Sequence, residues 1–456
     1  MDFENKNILV CGMAKSGISV AVLLKKFAKS VTIQDIKEQT HFENETIKNL
    51  KNQNINLLLG KNPDEEILNF DMLVLSPGVP TFLPFIKKAY ENNIPVIGEI
   101  EAAFNFCKSD VIGITGTNGK TTTTALIGEI INDFNNSAKV MGNIGKPFSD
   151  EVSEMTEKNV AVLELSSFQL ETINELKPKI SCVLNITEDH QDRHKTMENY
   201  VACKTNIFKN QTENDYAILN YDDSYCKEMA QGAKAKKIFF SMKENLKDGI
   251  YFYENHIYIN ILGINEKFIN INNLKLMGLH NVENVMAAVG AALAYGVPLT
   301  NIYKTLENFG GVEHRIEFVK TVNNVDFYND SKGTNPDSAI KAIAAMTKPI
   351  VLIAGGYEKN SDFNEWIKTF KNKVKHVIVL GAVQKRLEQN LIDNNFLDYS
   401  LAETFEEAVL KAYELSQSGD CVLLSPACAS WGMFNNFEQR GEIFKKIVNS
   451  LNGDSF

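Results

Sequence analysis

The run Val111-Ile112-Gly113-Ile114-Thr115-Gly116-Thr117-Asn118-Gly119-Lys120-Thr121-Thr122-Thr123-Thr124 limits what this chain can fold into more than any other segment. An apolar strand passes into a glycine turn, then a lysine and a hydroxyl run, with a helix expected from about Thr121. That layout suits a nucleoside triphosphate. Backbone N–H groups of the turn and the positive end of the following helix face the phosphates. Gly116, Thr117, Asn118, Gly119 and Thr122 would form the cradle, Lys120 a mobile charge, and Thr121 a hydroxyl for Mg²⁺. The usual phosphate-loop pattern has a glycine where Ile114 stands. A plain strand-to-helix turn is the bland alternative, and the lysine with its hydroxyl run argues against it.

The rest of the chain repeats one theme in three blocks. In residues 1–108, short apolar strands are read at Ile8–Cys11, Val31–Ile33, Met72–Leu75 and Pro95–Ile97. The first leads into Gly12-Met13-Ala14-Lys15-Ser16-Gly17 and a helical stretch from Ile18 to Phe27. The second block, 109–310, holds the phosphate loop and strands at Val160–Leu163, Cys182–Asn185 and Ala217–Asn220. It also holds an antiparallel patch from Ile250 to Ile271 and an alanine-rich helix from Asn284 to Tyr295. In the third block, 311–456, strands at Val325–Tyr328, Ile350–Ile353, His376–Leu380 and Cys421–Leu424 each run into polar or glycine-rich residues. Strands alternating with helices mean parallel βαβ units, and ligands bind beyond the carboxyl ends of such strands. The fold class is α/β.

Composition narrows the function classes. The chain has 456 residues, 44% hydrophobic and 23% charged, which fits a multidomain globular protein. No apolar run approaches the ~18 residues of a membrane span, and the acidic start does not resemble a signal peptide. Seven scattered cysteines without a CxxC pair fit reduced thiols and a cytoplasmic location. A net charge of −10 argues against nucleic-acid binding.

Further candidate residues sit beyond strand ends. The first turn approximates a dinucleotide fingerprint, with Ala14 at the second glycine position and Asp35 18 residues after Gly17. Ser16 and Asp35 would face a nucleotide diphosphate, while Ala14 crowds a pyrophosphate and argues against NAD. Glu164 ends an apolar strand and can serve Mg²⁺ beside a phosphate loop. Asn185-Ile186-Thr187-Glu188-Asp189-His190-Gln191-Asp192-Arg193-His194 packs acids and histidines into one loop, with His190 a metal-ligand candidate. Lys204 follows on a helical stretch from Tyr200 to Phe208 and, taken alone, reads as a surface lysine. Arg315 in Gly311-Val312-Glu313-His314-Arg315 can neutralise a phosphoryl group. Asp330-Ser331-Lys332-Gly333-Thr334-Asn335-Pro336 is a polar loop before a helix, suited to an anion or to simple capping.

Together these motifs resemble the Mur ligase family. The phosphate loop, Glu164-Leu165-Ser166-Ser167, Asp189 to His194, His280-Asn281-x-x-Asn284, His314-Arg315 and the Asp330 loop recur there in this order. The run Leu424 to Ser430 and Asn436-Phe437-Glu438-Gln439-Arg440-Gly441 resembles the D-glutamate-adding member. The resemblance implies three domains: an N-terminal Rossmann-like domain for UDP, a central ATPase domain with a parallel sheet, and a C-terminal Rossmann-like domain. It implies ATP and Mg²⁺, with UDP-N-acetylmuramoyl-L-alanine and D-glutamate as partners, joined through an acyl phosphate by a monomer in cytoplasmic peptidoglycan synthesis. By the same resemblance Asn143, Ser166 and Gln169 touch the UDP-sugar. Asn281, Arg315 and Asp330 face ATP. Thr334, Lys359, Ser430 and Phe437 hold D-glutamate, with Glu358 adding a negative charge beside Lys359. Thr121 and Glu164 serve the Mg²⁺ on the triphosphate, and His190 with a carbamylated Lys204 serves a second Mg²⁺. Lys120, His190, Lys204 and Arg315 are the implied catalytic set.

Rival readings are a sister ligase adding another amino acid, a folylpolyglutamate synthase, an NAD-dependent oxidoreductase argued from the first turn alone, and an ATP-binding module without catalysis. No Asp-Asn-Pro-Arg segment of the diaminopimelate- or lysine-adding members is present.

Overall fold

Short apolar segments closed by glycine or polar turns fold into three parallel-dominated sheets flanked by helices. The computed structural model describes residues 1–276, 278–357 and 361–451; the side chains of Asp192 and His280 lie outside the described set. Met1–Asn273 with Val282–Asn308 form one unit, and Leu274–Asn281 with Phe309–Phe456 another.

The first sheet contains β1 (Asn7–Cys11), β2 (Ser30–Asp35), β3 (Asn56–Leu59), β4 (Met72–Leu75) and β5 (Val96–Gly98), in the order β3-β2-β1-β4-β5. All its pairs are parallel. Ile8, Val10, Val31, Ile33 and Val74 bury against Val20, Ala21 and Leu24 on one face. Leu9, Leu73 and Leu75 bury against Phe85 and Ile86 on the other. Strand order reverses between β1 and β4, so a crevice opens at their carboxyl ends. Strand β3 is not among the strands read from the sequence, although Leu57-Leu58-Leu59 is an apolar run closed by Gly60; it is a half-buried edge strand. The first helix is Lys15–Lys25, starting three residues earlier than its apolar pattern suggested.

The second sheet contains β6 (Asp110–Thr115), β7 (Ala138–Gly142), β8 (Val160–Glu164), β9 (Ile180–Val183), β10 (Tyr216–Asn220), β11 (Lys236–Ser241), β12 (Gly249–Tyr253), β13 (His256–Ile261) and β14 (Ile264–Asn270). Its order is β14-β13-β12-β11-β10-β9-β6-β8-β7. The expected antiparallel patch is the β12–β13–β14 meander. β6 is fully surrounded, pairing with β8 and β9. The helix after it is Lys120–Asn135, and Asn136 ends it in the left-handed conformation that asparagine tolerates (φ 55°). The stretch expected as a helix from Tyr200 to Phe208 is instead a helix over Met197–Thr205 followed by a 3₁₀ turn, Asn206–Phe208. Thr196 caps this helix, accepting from the N–H of Asn199.

In the second unit, the sheet contains β15 (Glu317–Val322), β16 (Val325–Asn329), β17 (Ile350–Gly355), β18 (Val374–Leu380), β19 (Tyr399–Leu401) and β20 (Cys421–Leu424). The order is β15-β16-β20-β17-β18-β19, with only β15 antiparallel to its neighbour. Asn335 caps helix Pro336–Ala345 and Asn436 caps helix Phe437–Ser450. None of the seven cysteines forms a disulfide. Among the described residues, no helix is long and apolar enough to cross a membrane.

Candidate functional site

The glycines of the phosphate loop do different jobs. Gly116 and Gly119 adopt φ of 145° and 85°, conformations open to glycine. A side chain at 119 would also strike Asn284 Oδ1. Asn185 locks the loop from beyond β9: its carbonyl accepts from the N–H of Thr117, and its amide exchanges two hydrogen bonds with the backbone of Asn118. Thr117 Oγ1 pairs with Tyr200 OH at 3.1 Å. Thr121 and Thr122 are buried in the first helical turn. Lys120 folds back, donating to the carbonyls of Gly116 and Thr117 at 2.9 Å.

Register brings Glu164 beside this loop, since it pairs with Ile114 across β6 and β8. The carboxylate is 2% exposed. One oxygen accepts from Asn143 Nδ2 at 2.8 Å, and the other has no hydrogen-bond partner. An orphaned buried carboxylate oxygen is costly unless a cation answers it, so this position fits Mg²⁺. Asn143 is therefore tied to Glu164. Ser166 and Gln169 form a capping box with each other at the start of helix Ser167–Leu170.

Lys204 overturns the surface reading. It is 1% exposed, donates to the Gly116 carbonyl at 2.9 Å and lies 4.7 Å from the Tyr200 ring. Desolvation first, and the neighbouring Lys120 charge second, hold its pKa well below the usual lysine range. His190, in contrast, is exposed, sits at φ 52°, and packs its ring 4.8 Å from Phe168. Among the described residues, neither His190 nor Glu164 belongs to a cluster of three His, Cys, Asp or Glu ligand atoms; that cluster is Glu313, His314 and Glu442, into which Lys445 projects.

In the N-terminal turn, Gly17 is the position that demands glycine: a Cβ there would lie 1.9 Å from the Gly12 carbonyl oxygen. Ser16 and Asp35 line a cleft of about 540 Å³ with Lys37, Ser76, Pro77 and Val79. Both Asp35 oxygens accept backbone N–H groups, from Met13 and Lys37, so this acid fastens the turn to the end of β2.

In the second unit, Asp330 directly follows β16 and is almost wholly buried. It accepts from Ser425 Oγ at 2.7 Å and from the N–H of Ile316 at 3.3 Å. Burial pushes its carboxyl up to about 7 against the pull of Ser425 and Arg315. Arg440, 2% exposed, clamps the loop by donating to Ser331 Oγ, the Ser331 carbonyl and the Cys428 carbonyl. The Phe437 carbonyl accepts from Ser331 Oγ at 2.8 Å. Ser430 is buried, Thr334 is half-buried before the helix cap, and Arg315 lies between two left-handed residues, His314 and Ile316. Asn281 is buried at the start of helix Leu279–Tyr295. Lys359 and Glu358 lie outside the described residues.

Residues 6–98 match the Mur ligase MurD-like N-terminal domain, 114–292 the Mur ligase middle domain, and 314–428 the Mur ligase glutamate ligase domain. Over 453 residues the chain is 48% identical to the UDP-N-acetylmuramoylalanine--D-glutamate ligase of Thermoanaerobacter pseudethanolicus, covering 99% of this chain and 100% of that one. The chain belongs to the Mur ligase family. This Mur ligase is also 47% identical to the protein of the same name from Clostridioides difficile, again over 99% of the chain and 100% of its relative. Its fold is shared with UDP-N-acetylmuramate-alanine ligase MurC from Thermotoga maritima, at 18% identity, a TM-score of 0.62, and coverage of 98% and 100%.

Two groups that shape the phosphate loop of this Mur ligase were not singled out in the sequence: Asn185 as its lock and Tyr200 as its wall. An asparagine two residues beyond β9 was visible, but its partner 67 residues away was not.

Proposed function

We propose that this Mur ligase joins D-glutamate to UDP-N-acetylmuramoyl-L-alanine with hydrolysis of ATP to ADP and phosphate, in cytoplasmic peptidoglycan synthesis, as a monomer. The observation that carries the reading is the phosphate loop beside Glu164, whose second oxygen is buried and unpartnered. The full-length relatives named as D-glutamate ligases support the choice of amino acid. A nicotinamide-dependent reading leaves the phosphate loop and the Asp330 loop without a role.

In this proposal the domains are 1–108 for UDP, 109–310 for ATP and 311–456 for the amino acid. The alanyl carboxylate attacks the γ-phosphorus of ATP, and the bond to the bridging oxygen breaks to release ADP. The amine of D-glutamate then attacks the acyl carbon, loses a proton, and phosphate departs. A carboxylate alone is a poor acyl donor because oxide is its leaving group; phosphate is a good one. Two anions meet in the first step, and Lys120 with Arg315 counter their repulsion. Gly116, Thr117, Asn118, Gly119, Thr121 and Thr122 cradle ATP, aided by Asn281 and Asp330. Ser16, Asp35, Asn143, Ser166 and Gln169 serve the UDP-sugar. Thr334, Lys359, Ser430 and Phe437 serve D-glutamate.

Thr121 and Glu164 would hold the Mg²⁺ on the triphosphate, and His190 with a carbamylated Lys204 a second Mg²⁺; when bound, these ions offset phosphate charge. The depressed pKa of Lys204 supports this assignment, because the free amine is the form that adds carbon dioxide. The test is phosphate release from Mg-ATP with UDP-N-acetylmuramoyl-L-alanine, comparing D-glutamate with L-glutamate, L-lysine, diaminopimelate and L-alanine. Release requiring D-glutamate is expected; release with another amino acid moves the protein to a sister activity.

A further inference from the structure

Arg193 is buried, with a side chain only 8% exposed, yet nothing above gives it a function. Its Nη2 donates to Glu171 Oε2 at 2.7 Å and to the carbonyl of Val79 at 3.0 Å. Thr81 donates its hydroxyl to the other oxygen of Glu171. Val79 and Thr81 belong to the segment after β4, and Ser76, Pro77, Gly78, Val79 and Pro80 of that segment line the cleft assigned to the UDP-sugar. One guanidinium thus grips the wall of the nucleotide cleft from the short helix Gln191–His194.

The other end of the connection is His190. The N–H of Arg193 donates to the His190 carbonyl at 3.0 Å. The guanidinium carbon sits 4.9 Å from the centre of the Phe168 ring, and that ring packs 4.8 Å from His190. His190 holds a left-handed backbone (φ 52°), a conformation a non-glycine residue keeps only where its surroundings enforce it. A guanidinium that served packing alone would have its buried donors paired. Here Nε is buried without a partner, and Arg193 lines a small pocket with Ser76, Glu99 and Gln169.

We propose that Arg193 is a positioning residue: through Glu171 and Val79 it couples the seating of the UDP-sugar to the orientation of His190. This rests on the ligase reading above. The coupling acts on the chemical step, so it moves kcat more than ATP or D-glutamate binding.

The experiment is steady-state kinetics on full-length Arg193→Gln, Arg193→Lys and Glu171→Gln, with folding checked by calorimetry. A sub-ångström to ångström displacement of His190 costs up to about 100-fold, so kcat in Arg193→Gln should fall about 30-fold or more. The KM values for ATP and D-glutamate should stay within about twofold, and Arg193→Lys should recover about fivefold over Arg193→Gln, since it keeps one charged donor. Glu171→Gln should show the same split in weaker form. Wild-type ligation with Arg193→Gln and Glu171→Gln both within about threefold of its kcat overturns the positioning role alone. A kcat loss that merely follows the folded fraction also overturns it. Wild-type phosphate release indifferent to D-glutamate overturns the ligase reading instead.

Discussion

Lys120 and Lys204 donate to the same acceptor, the Gly116 carbonyl oxygen, each at 2.9 Å. Two ammonium groups on one oxygen repel each other, and the buried one yields. Desolvation first, and this repulsion second, hold the Lys204 pKa well below the usual lysine range.

Replacing Lys204 with methionine should therefore separate activity from stability. A buried lysine of depressed pKa costs native stability below its unfolded pKa, because the unfolded chain binds the proton more tightly than the folded one. Lys204→Met should lose about 1000-fold or more in turnover while Tm stays level or rises. ATP binding should persist by calorimetry. Near-normal turnover would remove Lys204 from the site.

Glu164 is predicted to set the metal requirement. In Glu164→Gln the orphaned oxygen loses its charge but keeps nearly its shape. Turnover should fall about 100-fold or more, and the Mg²⁺ concentration for half-maximal rate should rise. An unchanged Mg²⁺ titration would assign the cation elsewhere.

Glu99 gives a pH signature of folding. Its carboxyl is buried at 1% exposure, accepts from the N–H and hydroxyl of Ser149, and is pushed up to about 7 by desolvation. At low pH both native and unfolded chains hold the proton. As pH rises through 4.5, the ordinary value of a glutamate, the unfolded chain releases it first. Native stability should then fall until pH passes about 7, by about 3 kcal/mol at most. Urea titrations at pH 5 and 7.5 should show a larger loss for wild type than for Glu99→Gln. Parallel losses would reject the assignment.

Gly17→Ala should destabilise the first domain by about 1–3 kcal/mol, because its methyl meets the Gly12 carbonyl and Ser76 Oγ at once. Weakened UDP binding should accompany the lower Tm. A neutral substitution would mean the turn relaxes freely.

Arg440→Lys should cost about 2 kcal/mol. A lysine cannot reproduce three donations fixed in one plane to Ser331 and Cys428. Chemical denaturation should register the loss in the second unit. Unchanged stability would show that the loop needs no guanidinium.

By itself the sequence determined the repeating strands, the three blocks and the phosphate loop. Those depend on local order: apolar runs such as Met72–Leu75 and Val160–Leu163 bury on both sides of a sheet, and glycines mark turns that side chains cannot make. Local order also placed Glu164 at a strand end. Strand β3 is not among the strands so read, although Leu57-Leu58-Leu59 is an apolar run; its pairing with β2 shows Asn56–Leu59 to be a strand. Only the tertiary structure decided that Lys204 is buried, that Asp35 spends both oxygens on the turn, and that Glu164 has one oxygen to spare. Those properties depend on neighbours distant along the chain: Gly116 lies 88 residues from Lys204, and Val79 lies 114 from Arg193. Desolvation and hydrogen-bond satisfaction come from what surrounds a side chain, and residue type and spacing do not encode that surrounding.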